Sequence, residues 1–235
     1  MKVVALVPAA GIGVRMGHAV RKQFLELQGL PILVWTLRRL AACEPIEEVI
    51  PIVSADMVEY CAEEIVDRYE IHKVKRIVVG GHERQESVWN GLHKVGEEYR
   101  YVMVHDGVRP FVSDKLLLAA LREAGKHDGV VVGYPVKDTM KDVDKTGFVE
   151  KTLRRNHMWA IQTPQIFRRE VIWDAYMRAS EAKVVATDDA ALVEWAGYKV
   201  KVLEGEHENI KITTPFDLVM GEAILASRKG DDAHA

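Results

Sequence analysis

The chain opens with Val3-Val4-Ala5-Leu6-Val7-Pro8-Ala9-Ala10-Gly11-Ile12-Gly13-Val14-Arg15-Met16-Gly17, and Lys22 follows a short way beyond. A run of Val and Leu that ends in proline, two alanines and three glycines marks a buried strand. That strand spills into a loop whose backbone must come close to something. Small side chains leave amide N–H groups uncovered, and these are what phosphate oxygens accept from. Arg15 and Lys22 add two cations beside the loop. The stretch therefore predicts a phosphate cradle with a charge clamp. Taken alone, it also fits a tight strand-to-helix turn whose glycines only relieve packing.

Two look-alikes can be set aside. In the register set by Gly11 and Gly13, a dinucleotide fingerprint would need Gly or Ala where Met16 stands. No acidic residue follows a second strand at the spacing that holds a ribose. A Walker loop needs Gly-Lys-Ser or Gly-Lys-Thr, and the chain has neither.

Outward from the loop, apolar spacing alternates between the two regular periods. Residues 31–43 read as a helix, with Ile32, Leu33, Trp35, Thr36, Leu37 and Leu40 at helical spacing. Residues 49–53 suit a buried strand, 55–69 a helix, 74–79 a strand and 85–95 a helix. Strands at 101–105 and 130–134 flank a helix through Ala124 that Ser113 caps. Further helices are predicted over 168–179, after Thr187 as N-cap, and over 215–227, with a strand at 199–203. Alternation of this kind implies a mostly parallel sheet with helices on both faces. Ligands of such sheets sit outside the carboxyl ends of the strands. Three post-strand loops carry unusual chemistry: 9–17, 80–84 and 106–110. Residues 135–156 break the pattern. Their charges flank a Thr146-Gly147 turn, which predicts a projecting hairpin, either packed on a partner chain or solvated.

Composition bounds the rest. The 235 residues, 48% hydrophobic and 29% charged, fit one large domain spanning 1–235. A net charge of −3 argues against nucleic acid as a partner. Cys43 and Cys61 lie in helix-like stretches without a CxxC motif, as reduced core residues do. No segment approaches the roughly 20 apolar residues of a membrane span, and the short apolar run after Met1-Lys2 does not suit a signal peptide. A cytoplasmic protein is expected.

Several motifs, in order, carry a resemblance. They are Pro8-Ala9-Ala10-Gly11-Ile12-Gly13-Val14-Arg15-Met16 with Lys22-Gln23-Phe24, and Gly80-Gly81-His82-Glu83-Arg84-Gln85-Glu86-Ser87-Val88. His105-Asp106-Gly107-Val108-Arg109-Pro110, Pro135-Val136-Lys137-Asp138-Thr139 and Trp159-Ala160-Ile161-Gln162-Thr163-Pro164-Gln165 follow. Thr187-Asp188-Asp189-Ala190 and Asn209-Ile210-Lys211-Ile212-Thr213 complete the set. Together they resemble the 2-C-methyl-D-erythritol 4-phosphate cytidylyltransferases of non-mevalonate isoprenoid biosynthesis.

The resemblance implies an α/β, Rossmann-like fold of the nucleotidyltransferase, glycosyltransferase-A-like type. It implies transfer of CMP from CTP to methylerythritol phosphate with release of pyrophosphate, Mg²⁺ or another divalent cation, and a homodimer built through the 135–156 arm. Arg15 and Lys22 match the family's transition-state stabilisers. Ala9, Ala10, Gly11 and Gly13, together with Gly81, Arg84 and Ser87, match its cytidine contacts. Asp106 and Arg109 match the pocket where ribose and acceptor hydroxyls meet, and Asp106, a carboxylate right after a strand end, is also a natural site for Mg²⁺. Thr139 and Arg155 match residues reaching the acceptor in the other subunit, and Lys211 with Thr187 matches the grip on its phosphate. Arg21 stands where many relatives have proline, and His82 where many have aspartate. Val108 is shared with the ribitol 5-phosphate cytidylyltransferases, the rival within the same chemistry. A non-catalytic nucleotide-binding protein is the rival of another class.

Overall fold

The structure is a computed structural model that describes residues 1–11 and 21–232. Gly13 and Arg15 lie outside the described residues.

In chain order the elements begin with β1 (Val3–Pro8), the short pair β2 (Glu26–Leu27) and β3 (Leu30–Pro31), α1 (Ile32–Ala42), β4 (Ile46–Val53) and the single turn α2 (Val58–Tyr60). They continue with β5 (Val78–Val79), α3 (Arg84–Leu92), β6 (Tyr101–Val104), α4 (Asp114–Ala124) and β7 (Gly129–Pro135). Then come β8 (Lys141–Val143), β9 (Val149–Thr152), β10 (Trp159–Arg168), α5 (Arg169–Ala182), α6 (Asp189–Trp195), β11 (Val200–Glu204) and α7 (Pro215–Asp232).

Seven strands form one sheet in the order β11-β7-β10-β6-β1-β4-β5. β1 pairs in parallel with β4 and with β6, and β4 pairs in parallel with β5. β10 runs antiparallel to both β6 and β7, while β11 is parallel to β7. Six strands therefore share one direction and β10 opposes them. β1 shows why the sheet is covered on both faces. Val3, Ala5 and Val7 pack into one core cluster and Val4 and Leu6 into the other, all fully buried. Period-2 alternation with both faces apolar leaves β1 no solvent side. A third cluster of Leu27, Ile32, Val108, Phe111, Ile212 and Leu225 seats α7 against the loop after β6.

The chain order also explains where a ligand can sit. β1 leads to β4 and β5 on one side, and the chain then returns to lay β6 on the other side of β1. That reversal opens a crevice at the carboxyl ends of β1 and β6, the usual binding position of such sheets.

Four local expectations are corrected. Residues 159–168 form β10, a central strand not anticipated from the sequence; its pairing with β7 shifts register between Ile161 and Gln165, which breaks a clean alternation. The stretch 74–79 contributes only Val78 and Val79 to the sheet, a short edge strand of the kind that limits edge pairing. The single helix expected over 55–69 is a 3₁₀ turn (Ala55–Met57), then α2, then a π turn (Cys61–Asp67) that buries Cys61 and Ile65. The N-cap of α6 is Asp188 rather than Thr187, because the Asp188 carboxylate accepts from the Ala191 amide. Ser113 caps α4 as expected, its hydroxyl accepting from the Leu116 amide.

β8 and β9 form an antiparallel ribbon outside the main sheet. Its turn is closed by Asp144, whose Oδ1 accepts from the Thr146 and Phe148 amides at 2.8 and 3.0 Å, with Gly147 at φ +92°.

Candidate active site

A cleft of about 480 Å³ lies at the carboxyl ends of β1, β4, β5 and β6. Pro8, Ala9, Ala10 and Gly11 line it from β1, Ser54 and Ala55 from β4, and Val79, Gly80, Gly81, His82, Glu83 and Arg84 from β5 into α3. Asp106 and Val108 enter from the loop after β6, with Arg21, Lys22, Gln23, Ser87 and Lys211 completing the wall. The three loops singled out in the sequence thus meet, joined by a lysine more than a hundred residues further along.

Close backbone approach builds the first wall. A Cβ on Gly80 would stand 2.6 Å from the Ala10 Cβ and 2.8 Å from the Ser87 hydroxyl, so only glycine lets the loops after β1 and β5 touch. Ser87 Oγ accepts from the Gly81 amide at 3.1 Å and donates to the Glu83 carbonyl at 3.0 Å. Gln23, almost fully buried, donates through Nε2 to the Ala9 carbonyl at 2.6 Å and the Gly11 carbonyl at 3.3 Å. It pins the glycine loop from below, a role the sequence alone does not assign. Arg21 sits at φ −66°, the value a proline would impose, and its guanidinium bonds Ser54 and pairs with Asp56 at 2.6 Å. The ion pair thus ties the residue to the end of β4.

Charge concentrates around Asp106. Its Oδ1 accepts from Arg84 Nε at 3.3 Å, and its Oδ2 from Arg109 Nε at 3.3 Å and Lys211 Nζ at 2.9 Å. Burial pushes its carboxyl pKa up, but Arg84, Lys211 and Arg109 outweigh that and hold it well below the usual carboxylate range. Arg84 also donates through Nη2 to the buried Asp189 at 2.7 Å. Burial disfavours the Arg84 cation, yet Asp189 and Asp106 more than compensate and raise its pKa. Three cations against two carboxylates leave the cluster with a net positive charge, a field suited to phosphates.

A buried polar network behind Asp106 brings Lys211 to it. The Asp106 amide donates to Thr163 Oγ1 at 3.1 Å, and that hydroxyl also lies 3.1 Å from His105 Nδ1. His105 Nε2 is 3.0 Å from the Arg109 carbonyl, and Arg109 Nη1 donates to the Asn209 carbonyl at 2.8 Å. Asn209 Nδ2 closes the circuit on the Thr163 carbonyl at 2.8 Å. Asn209 and Thr163 are not legible in the sequence as positioning residues because their partners are remote along the chain.

The predicted site residues divide as follows. Ala9, Ala10, Gly11, Lys22, Gly81, Arg84, Ser87, Asp106 and Lys211 line the cleft. Arg109 is buried behind Asp106 and supports it rather than forming the wall. Thr187 is exposed and is not among the lining residues. Thr139 and Arg155 share a separate open depression with Thr152, Leu153, Arg154 and Asn156 at the base of the ribbon. The Arg155 guanidinium bonds the Lys137 carbonyl there. As for a metal, the described residues contain no group of three or more His, Cys, Asp or Glu placed to hold one. Asp106 is already committed to three cations, so this donor set does not fit a resident Mg²⁺.

The profile of the IspD family, 2-C-methyl-D-erythritol 4-phosphate cytidylyltransferase, matches residues 3–227. The chain belongs to this family. A cytidylyltransferase of that name from Pelotomaculum thermopropionicum is 44% identical over 234 residues, covering 100% of this chain and 98% of its own. One from Alkaliphilus metalliredigens is 44% identical over 228 residues, covering 97% and 95%. The crystal structure of the 4-diphosphocytidyl-2C-methyl-D-erythritol synthase of Anaerococcus prevotii superposes with a TM-score of 0.83 at 32% identity, covering 96% of each chain. The cytidylyltransferase structure from Thermus thermophilus gives 0.78 at 31%, covering 95% and 98%. The chain therefore shares the overall fold of these solved structures.

His105 supplies a pH test of the network. Complete burial pushes its imidazole down to about 4 from an ordinary value of 6.5. A depressed pKa means the unfolded chain binds the proton first, so stability rises with pH across that window. The contribution is complete above pH ~6.5 and is lost as pH falls toward ~4, about 3 kcal/mol in all. Denaturant unfolding at stepped pH should show this slope, and His105→Asn should lose it. A wild-type profile that is flat over this window contradicts the assignment.

Proposed function

We infer that this chain transfers CMP from CTP to 2-C-methyl-D-erythritol 4-phosphate, giving 4-diphosphocytidyl-2-C-methyl-D-erythritol and pyrophosphate. The observation carrying the reading is the meeting of the glycine loop, the Gly80-Gly81 turn, Asp106 and Lys211 in one electropositive cleft.

A phosphate oxygen of the acceptor attacks the α-phosphorus of CTP, and pyrophosphate leaves in line. The nucleophile is already an anion, so no covalent enzyme intermediate is needed. Catalysis is then positioning and charge stabilisation. Arg15 and Lys22 stabilise the charge that builds on the α-phosphoryl oxygens. Ala9, Ala10, Gly11, Gly13 and Gly81 offer backbone to the nucleotide, with Arg84 and Ser87 beside them. Asp106 meets hydroxyls, Arg109 steadies it from behind, and Lys211 takes the acceptor phosphate. Mg²⁺ enters as part of the substrate, carried by the triphosphate. Two unpaired buried cysteines, Cys43 and Cys61, suit a reducing compartment such as the cytoplasm.

A homodimer is part of the same proposal. Thr139 and Arg155 lie together but off the cleft, and the neighbouring ribbon exposes Phe148, Val149 and Val143 at 74%, 56% and 49%. Apolar side chains so exposed on a two-stranded ribbon favour burial against a second subunit. Thr139 and Arg155 then serve the partner's acceptor pocket.

Pyrophosphate release from CTP should be faster with methylerythritol phosphate than with ribitol 5-phosphate as acceptor; the reverse preference overturns the substrate assignment. The dimer is tested by mixing inactive Lys22→Ala and Arg155→Ala chains, which should regain activity as heterodimers. No recovery in verified heterodimers would mean that each ribbon serves its own subunit.

A further inference from the structure

Asp189 is fully buried, at the start of α6, and does not itself line the cleft. Burying a carboxylate is costly unless it is paired, so its partners should show what it is for. It does not cap its own helix: Asp188 does, and Gln165 holds that turn by donating to Asp188 at 2.8 Å and accepting from the Ala190 amide at 3.0 Å. Asp189 instead accepts from two side chains. Tyr176, buried on α5, donates to Oδ1 at 2.6 Å, and Arg84 donates to Oδ2 at 2.7 Å.

Arg84 is the member of this chain that reaches the cleft. Its Nη2 is spent on Asp189 and its Nε on Asp106 at the longer distance of 3.3 Å. Nη1 has no acceptor among the described residues. Two carboxylates on separate elements fix the plane of the guanidinium, which would otherwise keep one long contact and several rotamers. Burial and the Asp189 carboxylate push the Tyr176 phenol pKa up, so it stays a proton donor. Trp89 stacks on the Tyr176 ring at 5.7 Å, and Trp89 lies on α3, the helix that begins with Arg84.

We propose that Asp189 and Tyr176 are positioning residues that hold Arg84 with one N–H edge turned to the nucleotide, so that CTP affinity depends on a carboxylate and a phenol remote from the ligand. The proposal rests on the cytidylyltransferase reading given above.

The test is calorimetric binding of CTP with Mg²⁺, without acceptor. Asp189→Asn should weaken CTP binding roughly tenfold, the scale of a charge-assisted hydrogen bond. Tyr176→Phe keeps the ring under Trp89 and removes only the donor; it should weaken binding about threefold with thermal stability close to wild type. In both, KM for methylerythritol phosphate should change much less than the CTP Kd. In an Arg84→Ala background, Asp189→Asn should add less than about a twofold further loss, since the two act through one group. Wild-type affinity in both single variants, or a full further loss in the Arg84→Ala background, overturns the proposal alone. A wild-type chain that does not bind CTP overturns the underlying reading instead.

Discussion

A carboxylate removed from water must be met by cations or it takes up a proton, and Asp106 is met by three. Arg84, Arg109 and Lys211 come from α3, from the loop after β6 and from the loop before α7. Their mutual repulsion would drive these segments apart if no anion stood between them. The carboxylate is what allows three cations to stand within reach of one another in a cleft open to solvent. Removing the buried Asp106 carboxylate would leave three cations without compensation, two of them partly screened by solvent. The same cluster keeps a positive balance that a triphosphate and a polyol phosphate can use.

Around that anchor, buried polar side chains hold the loops of the cleft in place. Thr163 and Asn209 tie the antiparallel β10 to the Asp106 and Lys211 loops, and His105 links Thr163 to the Arg109 carbonyl. On the opposite flank, Asp189 and Tyr176 hold the far edge of Arg84. Gln23 performs a similar task on the glycine loop, through the Ala9 and Gly11 carbonyls. Each of these loops is thus fixed from behind by a residue that does not present charge to the ligand.

Much of this is legible in the chain, and the omissions have physical reasons. The glycine loop, the Gly80-Gly81 turn and Asp106 stand out because close backbone approach and post-strand acids leave local marks in sequence. β1, α1 and α4 follow from apolar period and, for α4, from the Ser113 cap. β10 does not stand out because proline and glutamines interrupt its alternation, and its role depends on antiparallel pairing with two remote strands. The single helix expected over 55–69 does not form, because helical spacing does not separate α, 3₁₀ and π turns. Thr187 and Asp188 are both good caps, and only geometry chooses Asp188. Asp189 looks like an ordinary first-turn acid until the fold buries it against Arg84. Thr139 and Arg155 can be named from the motif, but they line a depression apart from the cleft, because only the folded chain shows which loops come together.

Asp106 stays ionised because three cations surround it, and the carboxyl-carbon NMR shift of Asp106 followed through acid measures that directly. A carboxylate at the ordinary aspartate value of about 3.9 is half protonated near pH 4. At that pH the Asp106 signal should show no protonation, while a carboxylate without such partners is midway through its titration. An Asp106 signal already half titrated there would show that the cation cluster does not exist in solution.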